Sequence, residues 1–142
     1  MIRPAEEGDA PALAELMTQL GYRTTADEMR ERLRTIFPRL DFATFVAVEE
    51  NKVCGMIGVS ASVGYEHDDP TGRIMALVAH EKMRGRGIGR ALLQAAENYF
   101  IREKVTRVVL TSRFTRERAH AFYESLGYVR TGLRFMKELA IR

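Results

Sequence analysis

The 142-residue chain has a single cysteine, Cys54, so no disulfide can form within it. That excludes a small disulfide-stapled scaffold. The thiol sits in the apolar run VCGMIGV, which reads as a buried, inert position rather than a nucleophile. No apolar stretch approaches the roughly 20 residues of a membrane span, and the N-terminus, MIRPAEEGDA, has no apolar signal segment. Low-complexity tracts, internal repeats and linkers are also missing. These absences leave a cytoplasmic protein with no membrane association, expected to form one domain over residues 1–142. That length buries a core without staples.

What is present is unevenly placed. Residues 1–71 hold 7 Lys/Arg against 13 Asp/Glu, a net of −6, and residues 72–142 hold 15 against 6, a net of +9; together they give the overall +3. One half favours anions and the other cations.

The periodicities predict alternating element types. Ile2 and Arg3 begin a short strand. Asp9 is placed to cap a helix carrying Pro11 in its first turn, with Leu13, Leu16, Met17 and Leu20 at helical spacing and Gly21 as the stop. Thr25 or Asp27 opens a second helix that Pro38 ends. Residues 42–65 read as a hairpin turning at Glu50-Asn51-Lys52. A polar loop, 66–72, leads to a buried strand at 73–79. Next come a glycine turn, a helix from Ile88 to about Glu103, a strand at 106–112, a helix over 115–127 and a closing strand pair in YVRTGLRFMKEL. Helices interleaved with a mixed sheet make an α/β (α+β) domain.

The chemistry concentrates in Arg84-Gly85-Arg86-Gly87-Ile88-Gly89-Arg90. Glycines free the backbone to turn tightly, and the following helix offers unpaired N–H groups at the positive end of its dipole. Strand, glycine turn and helix N-terminus together form a phosphate cradle. A dinucleotide fingerprint needs glycine where Arg90 stands, and a P-loop needs a Gly-Lys-Ser/Thr ending that is missing. A tight connection with solvated arginines would explain one glycine, not three at alternate positions.

The run resembles the Arg/Gln-x-x-Gly-x-Gly/Ala signature that binds the coenzyme A pyrophosphate in the GNAT N-acetyltransferase superfamily. The lead-in ALVAHEKM is similar to that family's fourth strand, and RAHAFYESLGYVRTGLRFMKEL to its fourth helix and final strands. The resemblance covers nearly the whole chain. It implies the GNAT fold, a mixed six- to seven-stranded sheet flanked by about four helices. It also implies acetyl-CoA as cosubstrate, no metal, and direct attack of an amine on the thioester. Backbone groups of Leu77, Val78 and Ala79 would pair with the pantetheine arm. The amides of residues 85 to 90, with Arg84, would hold the pyrophosphate. Tyr123, in FYESLGY, matches the family's usual acid for the leaving sulfur; as a tyrosine on an apolar helix face it would otherwise read as core.

Three positions depart from the family pattern. Ala76 stands where many relatives carry a strand-four glutamate that acts as a base, Glu81 where that strand often continues into a proline, and Arg116 where a helix-four asparagine is common. Glu66, with His67, is the alternative base, in the loop before strand four. His80 reads as a surface residue. An amine arriving partly deprotonated would need only water. Glu66, Asp68 and Asp69 would draw a small cationic amine to the acidic half, unless they form only an exposed acidic loop. No nucleic-acid module is present, and relatives are often homodimers. The competing reading is a catalytically silent acyl-CoA-binding regulatory protein, and Ala76 is its support.

Overall fold

The computed structural model describes residues 1–113 and 115–140. It divides into two compact units, Met1–Leu110 and Thr111–Arg142. The first contains strands β1 (Ile2–Pro4), β2 (Phe42–Glu49), β3 (Lys52–Ser62), β4 (Thr71–Ala79) and β5 (Arg107–Leu110), with helices α1 (Ala10–Leu20), α2 (Ala26–Ile36) and α3 (Ile88–Arg102). The sheet order is β1-β2-β3-β4-β5, antiparallel up to β4 and parallel between β4 and β5. No helix among the described residues is long and apolar enough to cross a membrane.

Local chemistry explains the boundaries. Thr25 caps α2: its hydroxyl accepts from the Glu28 N–H at 3.1 Å, and the Glu28 carboxylate accepts from the Thr25 N–H at 2.9 Å. Glu50 and Asn51 take φ of 50° and 64°, which turns the β2–β3 hairpin. Asp9 stands at the N-cap of α1 as the sequence predicted, but its side chain makes no cap bond there. Its carboxylate accepts two bonds from Arg3, at 2.8 and 2.9 Å, and one from the Glu6 N–H at 2.8 Å, closing a short 3-10 turn before α1. The paired guanidinium holds the Asp9 carboxyl below the usual range.

The sheet is covered on both faces. Leu13, Leu16, Met29 and Leu33 of α1 and α2 pack with Val46, Met56 and Val78 on one. Successive strand residues point to opposite faces, so Gly55, next to Met56, faces α3. A Cβ there would lie 2.7 Å from Ile88 Cγ2 and 3.0 Å from Leu92 Cδ1, and one on Gly72 would lie 2.8 Å from Phe100. Two side-chain-free sites thus let α3 lie directly on the strands.

The second unit contains α4 (Glu117–Ser125). Residues 128–140 form no strand, so the closing pair expected from the sequence is missing and the sheet has five strands among the described residues rather than six or seven. The segment has the apolar content of a strand without a buried face to hold it: Leu133 and Phe135 are 83% and 89% exposed.

Candidate active site

β4 carries two irregularities that open the sheet. Its register with β3 runs Gly58↔Ala76 and then Val59↔Ile74, so Met75 is an extra, bulged residue. Its pairing with β5 stops at Ile74↔Leu110. Residues 75–79 therefore continue along β3 without a strand on their other edge, among the described residues. The His80 N–H donates to Cys54 O at 2.8 Å, toward β3. Alternation then aims the N–H and C=O of Ala79 and Leu77 at the open edge, and those of Val78 at β3. Of Leu77, Val78 and Ala79, two therefore present their backbone to the open edge and one to β3.

The strand ends in a tied-down corner. His80 Nε2 lies 3.0 Å from Glu15 Oε1 on α1, and His80 Nδ1 accepts from the Lys82 N–H at 3.1 Å. An accepting Nδ1 makes Nε2 the donor to Glu15, so neither ring nitrogen is left as a base. The Glu81 N–H donates to Gln19 Oε1, also on α1, at 2.9 Å. The surface role expected for His80 becomes a specific one, holding α1 to the corner before the glycine turn.

In that turn Gly85 and Gly87 have φ of +82° and +79°, a region L side chains avoid, and Gly87 is the N-cap of α3. The first backbone bond into the helix is Ala91 N–H to Gly87 O, at 3.0 Å. The N–H groups of Ile88, Gly89 and Arg90 precede it and point along the helix axis toward the turn. No acidic residue lies in the first turn of α3. Arg86 reaches only 3.9 Å from Glu49 Oε2, and no carboxylate of the described residues lies within 4 Å of Arg84 or Arg90. Free amides, a helix dipole and three arginines, of which only Arg86 has a carboxylate nearby, fit a diphosphate.

A cavity of about 130 Å³ lies beside the bulge, between α1 and α2 and the sheet. Its wall is apolar and includes Met17, Met29, Leu33, Met56, Met75 and Ala76. No carboxylate lines it, and Arg32 is its one charged lining residue. Ala76 thus occupies a cavity wall where a glutamate would have put a base.

Glu66 is exposed in the loop 63–70, has no hydrogen-bond or ion-pair partner among the described residues, and does not line the cavity. Asp69, by contrast, is fully engaged. It accepts from the Thr106 hydroxyl and from Arg107 Nη2 at 2.9 Å, and these two bonds pull its carboxyl down to about 2. One of the three acidic groups expected to attract an amine therefore anchors the loop to the start of β5. In the second unit, Tyr123 is half-buried on α4, 5.5 Å from the Phe122 ring and 6.1 Å from that of Tyr128. Burial pushes its phenol up, so it is protonated at neutral pH. Cys54 is buried, with its thiol raised by desolvation, as an inert side chain should be.

The fold is a mixed sheet with an opened β4 edge followed by a glycine turn at a helix start. The model of the Acetyltransferase (GNAT) family matches residues 11–128, and the chain belongs to that family. It is an acyltransferase, and the family's cosubstrate is acetyl-CoA. The chain is 30% identical over 124 residues to the aminoalkylphosphonate N-acetyltransferase of Salmonella typhimurium, covering 87% of this chain and 78% of that protein. Among solved structures, it superposes with a TM-score of 0.87 on a putative acetyltransferase from Agrobacterium tumefaciens, at 26% identity over 98% of this chain and 99% of that one. A GNAT family acetyltransferase from Staphylococcus aureus gives 0.83 at 28% identity, covering 98% of each chain.

The sequence reading missed Arg32 and the methionine wall. Their only signal was the helical spacing of Met29 and Leu33, which reads equally as core.

Proposed function

We propose that this acyltransferase moves an acetyl group from acetyl-CoA to the primary amine of a small molecule by direct attack. The observation that carries the proposal is the adjacency of the open β4 edge, 75–79, to a glycine turn whose helix amides are free. Leu77 and Ala79 are aimed to bond an extended pantetheine arm as a strand would, with Val78 packed behind them. The amides of residues 85–90, with Arg84, Arg86 and Arg90, hold the pyrophosphate. The acetyl-CoA supplies the activated carbonyl; an outward N–H of β4 polarises it, and the amine nitrogen attacks from the cavity side. Tyr123, on α4, matches the family's usual acid for the departing sulfur, and burial keeps its phenol protonated at neutral pH, as that role requires.

With Ala76 at the cavity wall, the ammonium proton leaves to water. From that water we assign Glu66, exposed in the loop before β4, as the carboxylate that takes the proton on. The acceptor side favours a small molecule over a polycation, because its wall has no carboxylate. The Salmonella typhimurium relative, by its name, acetylates an aminoalkylphosphonate, an amine that bears an anion.

Release of coenzyme A thiol from acetyl-CoA across a panel of amines tests this reading, with acetyl-CoA binding measured alongside by calorimetry. Turnover on any primary amine supports it. Tight acetyl-CoA binding with silence across the panel would favour a regulatory acyl-CoA-binding protein instead.

A further inference from the structure

The corner that joins β4 to α3 has no core of its own. From Ala79 to Gly87 no residue is buried, whereas Val78 before them and Ile88 after them both are. Gly85 and Gly87 lie in this stretch at positive φ, and a Cβ on either would meet nothing within 4 Å, so the turn is open there. A segment without buried side chains and with two glycines must be ordered by hydrogen bonds or by its ligand. Whatever order is left to the ligand is subtracted from its affinity.

The ordering bonds come from α1. That helix is fixed to the sheet by Leu13 and Leu16, which are 0% and 1% exposed. Glu15 and Gln19 stand four residues apart and therefore share one face of it. Gln19 Oε1 accepts the Glu81 N–H at 2.9 Å. Glu15 acts through the His80 ring, whose Nε2 donates to Glu15 Oε1 at 3.0 Å while its Nδ1 accepts the Lys82 N–H at 3.1 Å. Glu81 and Lys82 open a 3-10 turn, where backbone N–H groups have no partner within the turn itself. Two successive orphan donors thus both end on α1. The other polar ties of residues 80–87 to further elements, among the described residues, are the His80 N–H to Cys54 O at 2.8 Å and the 3.9 Å approach of Arg86 to Glu49. Neither acts on residues 81–85.

We infer that Gln19 and Glu15 are positioning residues for acetyl-CoA. They order the corner in advance, so that the residues which follow it, Arg84 to Gly87, are in place for the diphosphate. They act through Glu81, His80 and Lys82 rather than on the cosubstrate. The inference rests on the reading of the glycine turn as the diphosphate cradle, and it gives the donor site a support in a helix from the opposite, acidic half of the chain.

The test measures acetyl-CoA binding by calorimetry, with circular dichroism to check folding. Gln19→Met keeps the side chain's length and removes its acceptor; it should raise Kd about fivefold, the effect of one net hydrogen bond. Glu15→Met should act alike through His80, whereas Glu15→Gln keeps an acceptor oxygen for Nε2 and should stay within about twofold of native. Glu81→Pro removes the donor N–H at a position that tolerates proline: it opens the 3-10 turn, and His80 before it, at φ −55° and ψ 135°, already has the conformation that precedes proline. In that background Gln19→Met should change Kd by less than about twofold, because its partner is gone. In ligand-free protein, amide exchange followed by NMR should quicken at Glu81 in Gln19→Met and at Lys82 in Glu15→Met. If neither methionine variant changes Kd while Gly87→Glu abolishes binding, the inference is overturned and the cradle reading stands. A Gln19→Met effect equal in both backgrounds, or Glu15→Gln as weak as Glu15→Met, overturns it as well. Native protein that does not bind acetyl-CoA sinks the cradle reading and the inference together.

Discussion

Replacing Gly55 by alanine probes how β3 supports the helix that opens the cradle. The new methyl would meet Ile88 Cγ2 at 2.7 Å, Leu92 Cδ1 at 3.0 Å and Val78 O at 3.2 Å. Ile88 is the first residue of α3 and β-branched, so its methyl cannot swing aside without leaving its rotamer. The helix start must move instead. Overpacking of this kind costs about 1–3 kcal/mol. The reduced freedom of the unfolded chain offsets roughly 0.4–1 kcal/mol of that. A net loss of about 1–2 kcal/mol lowers Tm by roughly 3–8 °C for a chain of this size. Gly58→Ala is the matched control, three residues along the same strand, where a Cβ meets nothing within 4 Å. It should leave Tm unchanged or raise it by a degree or two. Thermal unfolding followed by circular dichroism gives both values, and calorimetry of acetyl-CoA binding should show weakening in Gly55→Ala alone. Equal melting temperatures for the two variants would refute the claim that Gly55 sets the position of α3.

Gly87→Glu should abolish acetyl-CoA binding while circular dichroism shows a folded protein, because it puts negative charge at the cradle and costs only about 1–2 kcal/mol of left-handed strain. Tyr123→Phe should lower turnover by about a hundredfold or more with acetyl-CoA affinity within twofold, since general acids contribute on that scale; unchanged turnover would leave Tyr123 a packing residue. The Asp69 carboxyl is held at about 2 in the folded chain against an ordinary 3.8, so its contribution is fully present above pH 3.8 and is lost as pH falls toward 2. The Tm gap between native protein and Asp69→Asn should therefore narrow from pH 5 to pH 2, and a gap constant across that window would contradict the pairing.

Much of the site was readable because its signals are local. The helix start at Thr25 or Asp27, which the structure settles on Thr25, the Glu50-Asn51 turn and the glycine turn before α3 each act over three or four residues. Asp9 was read at its right position, the N-cap of α1, but not with its right partner, because Arg3 comes beside it only once β1 has formed. The net charge of the 66–69 loop concealed that Asp69 belongs to Arg107, 38 residues away. Alternating apolar residues after Tyr128 marked a strand-like composition, but period alone cannot supply a neighbouring strand. The methionine cavity was hidden for the same reason. Its four methionines are spread over 59 positions, 17 to 75, and only the sheet brings them together.

The half of β4 that leaves β5 has a consequence for the protein's life without ligand. An unpaired strand edge is a template for intermolecular pairing, and proteins usually blunt it with charge, proline or a cover. Residues 75–79 are MALVA, with none of the first two. If the pantetheine arm takes that edge, the cosubstrate is also a protective cover. At a hundred times its Kd it would add about 2.7 kcal/mol to stability. Depletion of acetyl-CoA would then expose a sticky edge as well as stop turnover, so the shelf life of the enzyme would follow the supply of its own donor.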